Sequence, residues 1–172
     1  MSCPFSSAPP IELGNGLTLT AFDAQQAHAL AQACAAIDPW ARYGIDAADL
    51  IATLTRQSDA LIARAIACEG ELAGGLVIHY PWLKGPYLQF LAVLPGWQQR
   101  GIGRAVLAWM EREARPASRS LWVLASDFNT PALALYESFG FRRVAPLPDL
   151  ACDGCTEILL RKRLLPRTGV LA

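Results

Sequence analysis

The residues best suited to chemistry lie in Gln98-Gln99-Arg100-Gly101-Ile102-Gly103-Arg104, directly ahead of an apolar pattern with helical spacing. A helix that opens here presents backbone N–H groups with no intrahelical partner, and its dipole adds positive potential. Glycines at 101 and 103 let an anion approach the backbone with no Cβ in the way. Arg100 and Arg104 add guanidinium groups, which match phosphate oxygens. The chemistry is anion binding, with a pyrophosphate as the natural ligand. A dinucleotide fingerprint would need glycine or alanine where Val106 stands, and a nucleotide P-loop would need Gly-Lys-Ser/Thr, so both are excluded. Cys152-Asp153-Gly154-Cys155 is a lone C-x-x-C with no second pair or nearby histidine. It reads as a turn between strands, and no metal site is expected.

These residues need a scaffold, and the apolar patterning supplies one. Leu17–Thr20 alternates as a strand, Asp23 caps a helix from Ala24 to Ile37, and a second helix runs from about Asp46 to Gln57. Leu61–Cys68 and Leu72–Tyr80 read as a hairpin turning at Glu69-Gly70-Glu71, followed by a loop from Pro81 to Pro86. Tyr87–Leu94 is a strand apolar on both faces, hence central. A helix over Gly101–Ala114, a strand over Leu121–Ala125 and a helix over Thr130–Phe139, ended by Gly140, come next. Phe141–Ala145 and Thr156–Leu164 close the chain as two strands. Strand–helix–strand from Tyr87 to Ala125 implies a right-handed crossover and one parallel pair. The fold class is therefore α/β (α+β): a mixed, largely antiparallel sheet with helices on both faces. Residues 1–14 read as a mobile tail and 15–172 as one domain.

Composition narrows the class further. The 172 residues are 53% apolar and 17% charged, which is a folded domain with material for a core. Fifteen basic residues balance fifteen acidic ones, which argues against nucleic-acid and polybasic membrane partners. No apolar run reaches the ~20 residues of a membrane helix. The five cysteines are an odd number spread along the chain, and the N-terminus carries no secretory pattern, so a cytoplasmic location is expected.

Two motifs together carry a resemblance. Gln98-x-x-Gly101-x-Gly103, after Leu91-Ala92-Val93-x-Pro95, resembles the acyl-CoA signature of the GCN5-related N-acetyltransferases (GNAT). Asn129-x-x-Ala132-x-x-Leu135-Tyr136-Glu137-x-x-Gly140-Phe141 resembles the second hallmark of that family. The element order fits from Leu17 to Leu164. The resemblance implies acetyl-CoA (coenzyme A) in a cleft where Tyr87–Leu94 and Leu121–Ala125 splay apart. Backbone groups of Leu91, Ala92 and Val93 would pair with the pantetheine arm. Gln98 belongs to the signature, and the turn Gln99, Arg100, Gly101, Ile102, Gly103 and Arg104 would hold the pyrophosphate. Asn129 either binds the cofactor arm or simply caps its helix.

The implied reaction is acetyl transfer to a primary amine of a small molecule or peptide by direct attack in a ternary complex. The amine must lose a proton before it attacks. A backbone N–H near Val93 would stabilise the developing oxyanion. Tyr136 would protonate or hydrogen-bond the leaving thiolate; otherwise it is an amphipathic core tyrosine. Many members carry a Glu on the central strand as base, and Gln89 stands here instead. Asp127 and His79 are the alternatives, beside a base acting through water or none at all. A non-catalytic acyl-CoA-binding module is the competing reading, motivated by Gln89. For the acceptor, Trp40 and Tyr43 would form an apolar wall and Asp38 would attract a cation. Trp82 would line a second rim or a homodimer contact, and Gln89 would face the acceptor.

Overall fold

Side-chain alternation builds the molecule around one sheet. The computed structural model describes residues 3–5 and 7–164. Its elements are β1 (Ile11–Gly14), β2 (Leu17–Thr20), α1 (Ala24–Ala35), α2 (Ala47–Thr55), β3 (Leu61–Cys68), β4 (Glu71–Trp82), β5 (Gly85–Val93), α3 (Ile102–Ala114), β6 (Ser120–Ser126), α4 (Thr130–Ser138), β7 (Arg142–Pro148) and β8 (Thr156–Arg163). A 3₁₀ turn, Pro95–Trp97, leads from β5 towards α3. The spatial order of the sheet is β1-β2-β3-β4-β5-β6-β8-β7. All neighbouring pairs are antiparallel except β5 and β6, which are joined by the α3 crossover.

Within β4, Leu76 and Ile78 enter one core cluster and Val77 the other, as a two-residue period demands. Val77, Phe90 and Ala92 pack with Ala27, Leu30 and Ala31 of α1 and with Leu50 and Leu54 of α2. The opposite face holds Val106, Leu107, Trp109 and Met110 of α3, and Leu133 and Tyr136 of α4. Both first-face helices begin with reciprocal caps. Asp23 accepts from Gln26 N at 2.7 Å and Asp46 from Asp49 N at 2.9 Å, while each partner side chain reaches back. A cap of this kind stabilises a helix by about 1 kcal/mol.

Several expectations change. The described part of residues 1–14 is not a mobile tail: Ile11–Gly14 pairs with β2, and Phe5 is 1% exposed between Tyr80 and Trp109. Four residues carry too little periodicity to announce a strand, and an isolated aromatic does not reveal the cavity it fills. The predicted loop 81–86 shrinks to Leu83 and Lys84, with φ of 37° and 65° as in mirror-image hairpin turns. Trp82 therefore sits on a strand end, against Tyr87 and Trp122, and not on a rim. α1 stops at Ala35, two residues before the predicted end. Cys152 and Cys155 do lie in the β7–β8 turn, as read, but they are joined by a disulfide. Left-handed Gly154 and the Cys155 N–Cys152 O bond at 3.0 Å bring the two together. Among the described residues no helix is long and apolar enough to cross a membrane.

Candidate active site

The site begins where β5 leaves β6. The two strands pair only at Tyr87–Trp122 and Leu88–Val123. On its other edge β5 pairs Leu88 with Ile78 and Phe90 with Val77, so Gln89 is an extra, bulged residue. A bulge bends and twists its strand. It falls at the last paired position, which gives the splay a local cause. Beyond it, Leu91, Ala92 and Val93 line one wall of a cavity of about 810 Å³.

The floor of that cavity is the turn into α3. Gly101 is the N-cap, with φ 79°, and no side chain caps the helix. A Cβ added there would meet nothing within 4 Å, so the space above its backbone is open. The amides of Ile102, Gly103 and Arg104 open the helix, and Ala105 N is the first to bond back, to Gly101 O at 3.0 Å. At Gly103 a Cβ would stand 2.9 Å from Leu135 Cδ2, the end of a side chain that would have to shift. Gln98, Gln99 and Arg104 also line the cavity. Gln98 Nε2 donates to Val93 O at 3.0 Å, which braces the turn against the end of β5. Arg104 donates to Ser138 Oγ at 3.3 Å. Arg100 lies outside the lining, with its guanidinium 4.8 Å from the Trp97 ring centre.

A second cavity, about 290 Å³, adjoins the first on the far side of the splay. Leu91, Asn129, Tyr136, Pro39 and Trp40 line both. Asn129 Oδ1 accepts from Ala132 N at 3.2 Å, so it caps α4 and leaves its NH₂ as the group available to a ligand. Tyr136 is buried at this junction, its ring against Phe141 and its hydroxyl without a hydrogen bond to the described residues. Burial, and then the neighbouring Tyr87, holds its phenol above the ordinary range. Such a phenol keeps its proton and acts as a hydrogen-bond donor.

The smaller cavity holds a group that the sequence reading missed. Glu157 on β8 is 8% exposed and lines it, beside Ser126, its partner in the β6–β8 ladder. The Tyr43 hydroxyl bonds both Glu157 Oε1 and Ser126 Oγ. Its single proton goes to the carboxylate, and the phenol oxygen can accept from serine. Burial, and then that bond to Glu157, pushes the Tyr43 phenol up to about 12. Nothing local marks Glu157 in the sequence: it is one residue of a final strand, brought to the cleft by the β6–β8 pairing.

The other candidates divide. Gln89 and Tyr43 line the smaller cavity. Trp40 lines it too, while its ring rests on Phe90 at 5.1 Å, so wall and anchor coincide. Asp38 lines the larger cavity and not the smaller. Asp127 is exposed at the β6 end, with its N–H on Thr156 O, and lines neither. His79, paired with Leu61 and Tyr87, and Trp82 also lie outside both linings.

A parallel pair opened by a bulge, above an uncapped glycine turn, fits the acyl-CoA cleft that the sequence resemblance implies. The sequence pattern of the acetyltransferase (GNAT) family matches residues 24–141. The blasticidin-S acetyltransferase of Streptomyces morookaense is 34% identical over 95 residues, 55% of this chain and 68% of that protein. The streptothricin acetyltransferase of Streptomyces lavendulae is 30% identical over 79 residues, 45% of this chain and 42% of that protein. The ribosomal-protein-S18-alanine N-acetyltransferase of Escherichia coli shares the fold, with TM-score 0.69 and 20% identity over 91% of this chain and 99% of that one. The chain belongs to the GNAT family and is an acyl-CoA-dependent N-acetyltransferase.

Proposed function

We propose that this enzyme acetylates a primary amine of a small basic molecule, with acetyl-CoA in the larger cavity and the amine in the smaller. The observation that carries the reading is the pair of cavities meeting at Tyr136. The larger fits a coenzyme A arm on its own features: open space above Gly101, uncapped amides at 102–104, and free strand edges beyond Leu88. When bound, acetyl-CoA supplies an acetyl group activated as a thioester. The first-turn amides and Arg104 hold phosphate oxygens. Leu91, Ala92 and Val93 offer backbone groups to the extended arm, and the Asn129 NH₂ donates to it. The Tyr136 hydroxyl holds a proton at the junction and donates it in a hydrogen bond to the sulfur. Relatives named for blasticidin S and streptothricin support a small-molecule acceptor.

The test is release of the CoA thiol from acetyl-CoA with blasticidin S, streptothricin, an aminoglycoside and a peptide with a free N-terminus. Turnover with one or more of the small amines, and little with the peptide, is expected. Tight CoA binding without amine-dependent thiol release would leave only a binding module.

A further inference from the structure

Gln89 cannot accept a proton, yet it stands at the bulge facing the smaller cavity. Glu157 faces the same cavity from β8, across the splay. A buried carboxylate is costly unless hydrogen bonds or a cation compensate it. Here the compensation is half complete. Oε1 accepts from Tyr43, whose phenol is pushed up to about 12 and so stays a donor at working pH. Oε2 has no partner among the described residues, and no Lys, Arg or His lines the cavity. The titratable groups nearby are Tyr43 from the α1–α2 loop, Tyr87 from β5 and Tyr136 from α4, with Asp127 at the end of β6. β7 sets apolar Leu147 opposite Glu157. Trp40, Phe90 and Tyr87 supply aromatic surface. A protonated primary amine completes such a site, since it brings a positive charge, three donors and affinity for aromatic faces.

We propose that Glu157 Oε2 anchors the ammonium of the acceptor and takes its proton, with Tyr43 as the residue that positions the carboxylate. This assignment rests on the proposed function and specifies its acceptor: a primary amine protonated at neutral pH. The ammonium gives one proton to Oε2, which frees the nitrogen lone pair. The N–C bond to the acetyl carbon forms, and the C–S bond breaks with its electron pair on sulfur. The second proton lost by nitrogen ends on that sulfur, and the proton on Oε2 passes to solvent. The base has in effect moved across the cleft, from the bulged strand to the strand beyond β6.

Glu157→Gln keeps the shape and the acceptor for Tyr43 but removes the charge. Calorimetry with coenzyme A is expected to give an affinity within about twofold of the wild type, while binding of the best amine of the panel weakens about tenfold or more. Its kcat/KM at neutral pH falls by about 10²–10⁴. That loss shrinks as pH rises towards the amine's own pKa, ~10.4 for an alkyl amine, because the substrate then arrives deprotonated. A merely structural role gives a loss independent of pH and leaves amine binding intact; that result, or wild-type kinetics, overturns the assignment. Should Glu157→Gln fail to fold, Tyr43→Phe retains the carboxylate and loses the bond to Oε1. Its kcat/KM is expected to fall about tenfold with coenzyme A affinity unchanged. Wild-type kinetics in Tyr43→Phe overturns the positioning role. If the wild-type enzyme acetylates none of the amines, the functional reading falls and takes this assignment with it. Acetylation indifferent to Glu157→Gln removes this assignment alone.

Discussion

Tyr136 shows how burial decides what a side chain can do. Its phenol sits in the wall shared by both cavities and is held above its usual range. It is therefore a poor source of a free proton and a durable donor to a thiolate. Tyr136→Phe removes only that donor, because the ring contact with Phe141 survives. We expect kcat to fall about 10–100-fold while the dissociation constant for coenzyme A changes by less than about twofold. Steady-state kinetics beside calorimetry separates the two, and an unchanged kcat would remove the hydroxyl from the chemistry. Asn129 shows the opposite economy, serving as helix cap and cavity wall at once.

At the level of elements, the site depends on two backbone departures from regularity. One is the bulge at Gln89, which turns β5 away from β6. The other is the left-handed Gly101, which starts α3 with its amides uncapped. Gly101→Val should act twice. A branched side chain at φ 79° costs about 1–2 kcal/mol of stability, and it fills the space open above the turn. The expected outcome is a lowered melting temperature and about tenfold or greater loss of coenzyme A affinity. Normal affinity in a folded Gly101→Val protein would move the diphosphate elsewhere. Gly74 is stricter: its Cβ would meet Ala92 O at 2.1 Å, a clash with the backbone of the strand that forms the cavity wall.

For the molecule as a whole, the tight core dictates an alkaline limit. Burial pushes Cys34 up to about 12 and, with Glu157 nearby, Tyr87 to about 12; Tyr136 is raised as well. A raised folded-state pKa means the native protein holds protons that the unfolded chain has released. The stability from these groups is complete below their unfolded values, about 9 for the thiol and 10 for the phenols. It is lost as pH rises towards the folded ones. The buried Cys34 and Tyr136 each contribute a slope of about 1.4 kcal/mol per pH unit inside their windows, and the half-buried Tyr87 less. Urea titrations from pH 7 to 11 are expected to show a flat profile that turns downward above about pH 9. A profile still flat at pH 11 would contradict the burial of these groups. Coenzyme A at about 100 times its dissociation constant should add about 2.7 kcal/mol across the flat range.

Local chemistry alone specified much of this protein. The glycine that opens α3, the helix carrying Tyr136 and the central apolar strand were legible because each depends on neighbours a few residues away. So were the capping aspartates, which act within one helical turn. Tertiary structure decided which groups share a cavity. It placed Glu157 beside Tyr43, separated by 114 residues, and it left Asp127 exposed at the end of β6, outside both cavity linings. The reason is physical: register between β6 and β8 and the bulge in β5 are long-range agreements among strands. No short stretch of chain encodes such an agreement by itself.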